Sequence, residues 1–105
     1  IRRSAGVQVG WLDEDYFWNG EDIDFCYKLK EAGWKIVFMP EIKITHFKGS
    51  SVRATASGRR IWAINSTTAM STFYRKHLSQ KYSFFVNWLV YFGIWVVKIM
   101  RIIRA

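Results

Sequence analysis

The stretch Trp18-Asn-Gly-Glu-Asp-Ile-Asp-Phe-Cys-Tyr-Lys-Leu-Lys-Glu-Ala-Gly33 constrains this chain more than any other, because it carries its own start and stop signals. Asn19 is a good N-cap, and Asp22, three positions on, mimics the acid of a capping box. Gly33 stands where a left-handed C-terminal cap belongs, after a last turn containing Lys30. The spacing predicts a helix over 20–32. Residues at i, i+3, i+4 and i+7 share a face. From Asp22 these are Phe25, Cys26 and Leu29; from Asp24 they are Tyr27, Lys28 and Glu31. Asp22 is therefore expected at the head of the apolar stripe, and Asp24 on a solvated side. The helix dipole alone accounts for acids in a first turn, at about 0.3–1 kcal/mol each. A carboxylate aimed among aromatics asks for more, since buried charge is tolerated mainly where it is paired, metal-bound or functional.

Charge divides the chain in two. The net charge is +8, yet no Asp or Glu occurs after Glu41, and from Lys43 to Arg104 every charge is positive. Such a balance points to anionic partners: a phosphate-bearing substrate, lipid headgroups or nucleic acid. Nucleic acid is disfavoured, because the cations are interleaved with long apolar runs and no recognised motif is present. Half the residues are hydrophobic and 18% aromatic, which excludes a disordered chain. The single cysteine excludes an internal disulfide and a cysteine-based zinc site; Cys26 reads as a small buried hydrophobe. The chain opens on Ile1 without a signal-peptide pattern, and its first residues read as mid-domain sequence.

Along the chain, Val7 and Val9 suggest a short strand leading into a turn. Residues 10–18 read as an acidic, aromatic loop with a helical turn, and Asp13 and Asp15 form a short Asp-x-Asp, a weak metal motif. Two strands are expected after the helix. The first covers 34–39 and ends at Pro40; the second covers 42–47, where clean alternation puts Ile42, Ile44 and His46 on one inner face. His46 then stands at a strand end, either as a hydrogen-bonded core residue or as a ligand. The Lys48-Gly-Ser-Ser51 turn behind it offers donors suited to phosphate, with Arg53 nearby. Residues 52–58 read as a flexible loop. A helix is predicted over 59–77, with Trp62, Ala69, Met70, Phe73 and Tyr74 on one face and Arg75-Lys-His77 at its end.

The last element, 82–104, has an uncharged run of 16 residues over 82–97, short of the roughly 20 that span a bilayer as helix. Asn87, Lys98 and Arg101 fall near one line of a helical wheel, which reads as a wet strip beside a broad Phe-, Trp- and Val-rich face. This pattern fits an interfacial helix whose Phe85, Trp88, Trp95, Lys98 and Arg101 meet an anionic membrane surface. Burial against protein and a tilted span are the other readings.

In order, Gly10-Trp-Leu-Asp-Glu-Asp, Gly20-Glu-Asp-Ile-Asp24, Ala32-Gly33, Pro40-Glu41 and Ile44-Thr-His46 resemble the C-terminal part of family 2 glycosyltransferases, closest to bacterial rhamnosyltransferase-like members. The resemblance covers roughly residues 6–51, and more loosely Tyr74-Arg-Lys-His77 and the basic apolar tail. It implies an α/β portion of a GT-A catalytic domain over 1–51, followed by a loop and amphipathic helix over 52–81 and an interfacial helix over 82–105. It further implies an inverting transfer from a nucleotide-sugar donor to a glycan or lipid-linked acceptor in cell-surface polysaccharide synthesis. Asp22 would be the general base and Glu21 its companion in the acceptor site, bordered by Trp11 and Trp18. His46 would approach a divalent metal (Mg or Mn) or the donor diphosphate. The expected location is peripheral, on the cytoplasmic face of the inner membrane. The family's nucleotide-binding half is not in these residues, so no tightly bound cofactor and no transfer are expected of this chain alone, while uncovered apolar faces favour self-association. A non-enzymatic membrane module built on the C-terminal helix is the competing reading.

Overall fold

The computed structural model describes residues 1–45 and 56–105, with side chains from residue 57 onward in the second part. Among these residues the chain forms four α-helices: α1 (Arg3–Val9), α2 (Glu21–Glu31), α3 (Ala56–His77) and α4 (Phe84–Ile103). A 3-10 turn, Ser79–Lys81, joins the last two. α1 packs on α2, and α3 and α4 form a hairpin.

The described residues contain no strand, so the expected α/β class gives way to a helical architecture. Val7 and Val9 belong to α1, which ends in a left-handed Gly10. Over 34–45 the chain runs without a ladder, and Val37, Phe38 and Ile44 are exposed by 74%, 85% and 88%. These are the strand-forming side chains of the sequence, but strands exist only through neighbours, and here no second strand pairs with them. His46, Lys48-Gly-Ser-Ser51 and Arg53 lie outside the described residues. α3 begins at Ala56, so the expected loop over 52–58 is shorter by at least three residues.

α2 forms where its signals place it, with one change. Its C-terminus closes as a Schellman motif: Gly33 is left-handed (φ 84°), its N–H reaches Lys30 O at 3.0 Å, and Trp34 N–H reaches Leu29 O at 2.9 Å. At the other end Gly20, not Asn19, is the N-cap, and no side chain caps the helix. Gly20 has φ 104°, and a Cβ there would stand 3.0 Å from the Tyr16 ring and 3.1 Å from Ala69 Cβ. The start of α2 is thus pressed against the middle of α3 through a backbone with no side chain.

The α3–α4 hairpin is inverted in polarity. Tyr74 donates its hydroxyl to Asn87 Oδ1 at 2.7 Å, and Asn87 Nδ2 donates to Ser79 O at 2.9 Å. Arg101 donates to Ser66 Oγ at 2.7 Å, its guanidinium 5.0 Å from the Trp62 ring centre. Thr67 and Thr72 are buried on α3. Outward, Trp88, Phe92 and Trp95 stack in a row at 5.5 and 5.9 Å between centres, and no residue of α4 is buried. The polar line of α4 that the sequence suggests is wetted instead packs on α3.

The contact at Gly20 yields a stability test. Gly20→Ala should destabilise the fold by about 1–3 kcal/mol, through a strained φ and crowding against α3. Urea unfolding followed by circular dichroism reads the change; a Gly33→Ala control should cost less, since a Cβ at Gly33 meets nothing within 4 Å.

Candidate functional site

The two acids of α2 exchange the places expected of them. Asp24 is fully buried and Asp22 is exposed. The reason lies outside the helix: Tyr16 donates to Asp24 Oδ1 at 3.1 Å, and His77 Nε2 meets the same oxygen at 2.5 Å. The Lys28 ammonium stands 3.1 Å from Oδ2, one turn along α2. Lys28 also donates to Trp11 O at 2.9 Å. The His77 ring is held between Tyr27 and Phe73, at 4.5 and 4.9 Å between centres. Burial pushes the Asp24 carboxyl up, but the contacts from His77, Lys28 and Tyr16 outweigh it and hold the pKa below its ordinary value. Burial and the hydrogen bond to Asp24 raise the Tyr16 phenol far above its usual range, so Tyr16 remains a donor.

Lys76 makes a second tie. Its ammonium lies 2.6 Å from Asp13 and 2.7 Å from Asp15. The hydrogen bond from Lys76 lowers the Asp13 pKa, and the reverse contact raises that of Lys76. A lysine therefore occupies the position between the two acids of the Asp-x-Asp. Among the described residues no three His, Cys, Asp or Glu side chains gather as a metal site. With Lys76 already bridging Asp13 and Asp15, these two residues do not fit a divalent metal.

Asp22 stands at the start of α2, its Oδ1 accepting the adjacent Ile23 N–H at 2.9 Å. It lines a cleft of about 650 Å³ with Asn19 and Ile23. The opposite walls come from α3 (Trp62, Ala69, Met70, Phe73) and α4 (Val90, Ile94, Arg101). The apolar face expected of α3 thus lines this cleft. Glu21 points elsewhere, into a recess of about 280 Å³ shared with Leu12, Tyr16 and Trp18. Its Oε2 is buried, with no hydrogen-bond partner among the described residues. Trp18 and Glu21 are therefore brought together, whereas Trp11 stacks on Phe25 at 6.5 Å and covers Gly6. Cys26, expected in the core, is exposed.

Of the side chains expected to meet a membrane, Phe85, Trp88 and Trp95 face outward, exposed by 78%, 58% and 56%. Lys98 is half-buried beside Thr67 and Ser71, and Arg101 is turned onto α3. Sequence reasoning missed Tyr16, His77 and the burial of Asp24. The only local signal was the Asp24–Lys28 spacing, since Tyr16 and His77 are 8 and 53 residues from Asp24.

The depressed Asp24 pKa fixes the sign of an acid effect. The stabilisation is complete above the ordinary carboxylate pKa and is lost as pH falls through the lower folded value, so unfolding should set in below about pH 4. Asp24→Asn should flatten that acid limb and lower stability at pH 7 by about 3 kcal/mol, because Lys28 loses its counter-charge and the contacts to Tyr16 and His77 are disturbed. Urea midpoints measured from pH 3 to 8 check both.

No family model matches the chain, and no solved structure matches it. Over 51 residues it is 45% identical to the N-acetylglucosaminyl-diphospho-decaprenol L-rhamnosyltransferase of Mycobacterium tuberculosis, in strains CDC 1551 / Oshkosh and H37Rv. That stretch is 49% of this chain and 17% of the relative. Over 67 residues it is 33% identical to Rhamnosyltransferase WbbL of Escherichia coli K12, covering 64% of this chain and 25% of the relative. The chain therefore spans between about a sixth and a quarter of the length of these relatives. By sequence it is rhamnosyltransferase-like, similar to part of these glycosyltransferases.

Proposed function

We propose that this chain supplies the acceptor side of a glycosyltransferase that moves a sugar from a nucleotide-sugar donor to a hydroxyl of a lipid-linked acceptor in polysaccharide synthesis. The relatives are named rhamnosyltransferases, and one is named for a sugar carried on diphospho-decaprenol. The observation that carries the residue assignment is the exchange of the two acids. Asp24 is sequestered by three partners and closed to substrate, whereas Asp22 opens onto a cleft. A general base must come within about 3 Å of the hydroxyl it deprotonates, and of the two only Asp22 is accessible to one.

In this reading the acceptor hydroxyl attacks the anomeric carbon from the face opposite the leaving diphosphate. The new C–O bond forms as the bond to the diphosphate breaks, and the hydroxyl proton passes to Asp22, inverting the configuration. Glu21, with Trp18, would contact the acceptor sugar in the neighbouring recess. His46 is the residue of this chain that would approach a divalent metal or the donor diphosphate.

α4 completes the proposal. Among the described residues it is the one helix long and apolar enough to cross a membrane. Its outward aromatic row and the net charge of +8 on the chain suit a peripheral position on an anionic surface, on the cytoplasmic side. The same row favours the competing reading of a non-enzymatic membrane module, and the base separates the two.

In the transferase that carries this chain, Asp22→Asn should lower transfer by about 10²–10⁴-fold while helix content and lipid binding stay unchanged. Survival of full activity would remove Asp22 as the base. Trp88→Ser and Trp95→Ser should each weaken co-sedimentation with phosphatidylglycerol vesicles by about tenfold. Binding should also fall as salt rises; unchanged binding in both variants rules out the aromatic row as the membrane contact.

A further inference from the structure

The cleft that Asp22 opens onto is larger and more apolar than deprotonation of a hydroxyl requires. It runs along α3 from Trp62 to Leu78, about 24 Å of helix. Its 650 Å³ fall within the range of small-molecule sites. The polar groups at one end are already satisfied by each other: Arg101 bonds Ser66 and lies over Trp62. Apart from Asn19, Asp22 and Tyr74, what remains is hydrocarbon wall, with Met70 and Phe73 on α3 and Val90 and Ile94 on α4. α4 is also the helix whose opposite side carries the outward aromatic row, so one helix separates the cleft from the apolar surface.

We propose that this cleft is the binding site for the isoprenoid chain of the lipid-linked acceptor, with the acceptor sugar held beside Asp22. The inference rests on the transferase reading above and adds to it the place where the lipid is held. A prenyl chain suits the cleft on three grounds. It is branched and purely apolar, so it leaves no polar atom unpaired against Met70, Phe73 and Ile94. It is flexible, so it can follow a cleft whose lining is spread along both α3 and α4. It is attached to the sugar through a diphosphate in the relative that is 45% identical, so a site for the tail next to the base brings the reacting hydroxyl and its anchor to one helix pair.

The test uses the chain in detergent with a benzophenone-bearing farnesyl diphosphate, mapping the labelled peptides. Label should fall on α3 and α4 residues lining the cleft. It should be competed increasingly by geranyl, farnesyl and geranylgeranyl diphosphate, at least about tenfold more effectively for each added isoprene unit. Inorganic diphosphate should not compete. Ile94→Trp, which fills the cleft, should cut labelling at least about tenfold with helix content unchanged. Met70→Trp is the second variant, at a half-exposed wall position less able to disturb the fold. Label confined to the outward row of Phe85, Trp88 and Trp95 would overturn the proposal, as would competition by inorganic diphosphate alone or equal competition by all chain lengths. Asp22→Asn keeps the two readings apart. Labelled cleft with an active Asp22→Asn enzyme sinks the base and leaves the lipid site standing; an inactive Asp22→Asn enzyme labelled only on the outer row does the reverse.

Discussion

A carboxylate withdrawn from water must be given back, by the protein, what water supplied, and in this chain that demand falls on Asp24. Its partners come from three places in the sequence: Tyr16 in the loop after α1, Lys28 on α2 and His77 at the end of α3. Lys28 reaches on to Trp11 O, and Lys76 beside His77 holds Asp13 and Asp15. One buried charge and one neighbouring lysine thus fix the acidic loop and α2 against α3. With only a few fully buried apolar side chains among the described residues, such polar ties carry an unusual share of what orients α2.

That orientation has a chemical consequence. Turning Asp24 inward turns Asp22, two residues earlier, toward the other side of the helix. Gly20 lets the start of α2 approach Ala69 closely enough for Asp22 to border the cleft between α3 and α4. Glu21, between them in sequence, enters a separate recess with Trp18. Three acids of one dipole-favoured first turn therefore do three things: Asp24 anchors, Glu21 faces an aromatic recess and Asp22 borders an apolar cleft. The structural acid makes the accessible one possible, which is why their chemistry cannot be judged from the shared helix dipole alone.

Much of α2 and α3 was legible in the sequence, because helix ends and apolar faces are local. Gly33 closes α2 as a left-handed cap, and Trp62, Ala69, Met70 and Phe73 share the face that lines the cleft. What was illegible was non-local. Periodicity ranks faces by apolar content and so assigned Asp24 to solvent, blind to a histidine 53 residues away. It read Asn19 as the cap, whereas the close approach to Ala69 selects Gly20. Residues 34–45 carry strand-forming side chains, but a strand needs a partner to pair with, and propensity cannot supply one. The polar line of α4 suggested a wet strip for a like reason: Tyr74, Ser79 and Ser66, which satisfy Asn87 and Arg101, belong to the preceding segment.

The same satisfaction of polar groups inside the hairpin decides what its outside can meet. When Asn87 and Arg101 are spent on α3, the outer face of α4 keeps Phe85, Trp88, Leu89, Phe92 and Trp95 and little else to offer water. A large exposed apolar face on a strongly basic chain asks for a cover, and in the proposed membrane-associated transferase an anionic lipid surface would answer both its apolar and its charged character. The cleft on the inner side of α4 then lies one helix diameter, about 10 Å, from that surface. In the proposed lipid-linked transfer, that short distance would let the acceptor tail reach from a bilayer into the cleft while the sugar stays beside Asp22. The inverted polarity of the hairpin and the position of the accessible acid are in this sense one arrangement, set by where the buried polar groups of α3 found their partners.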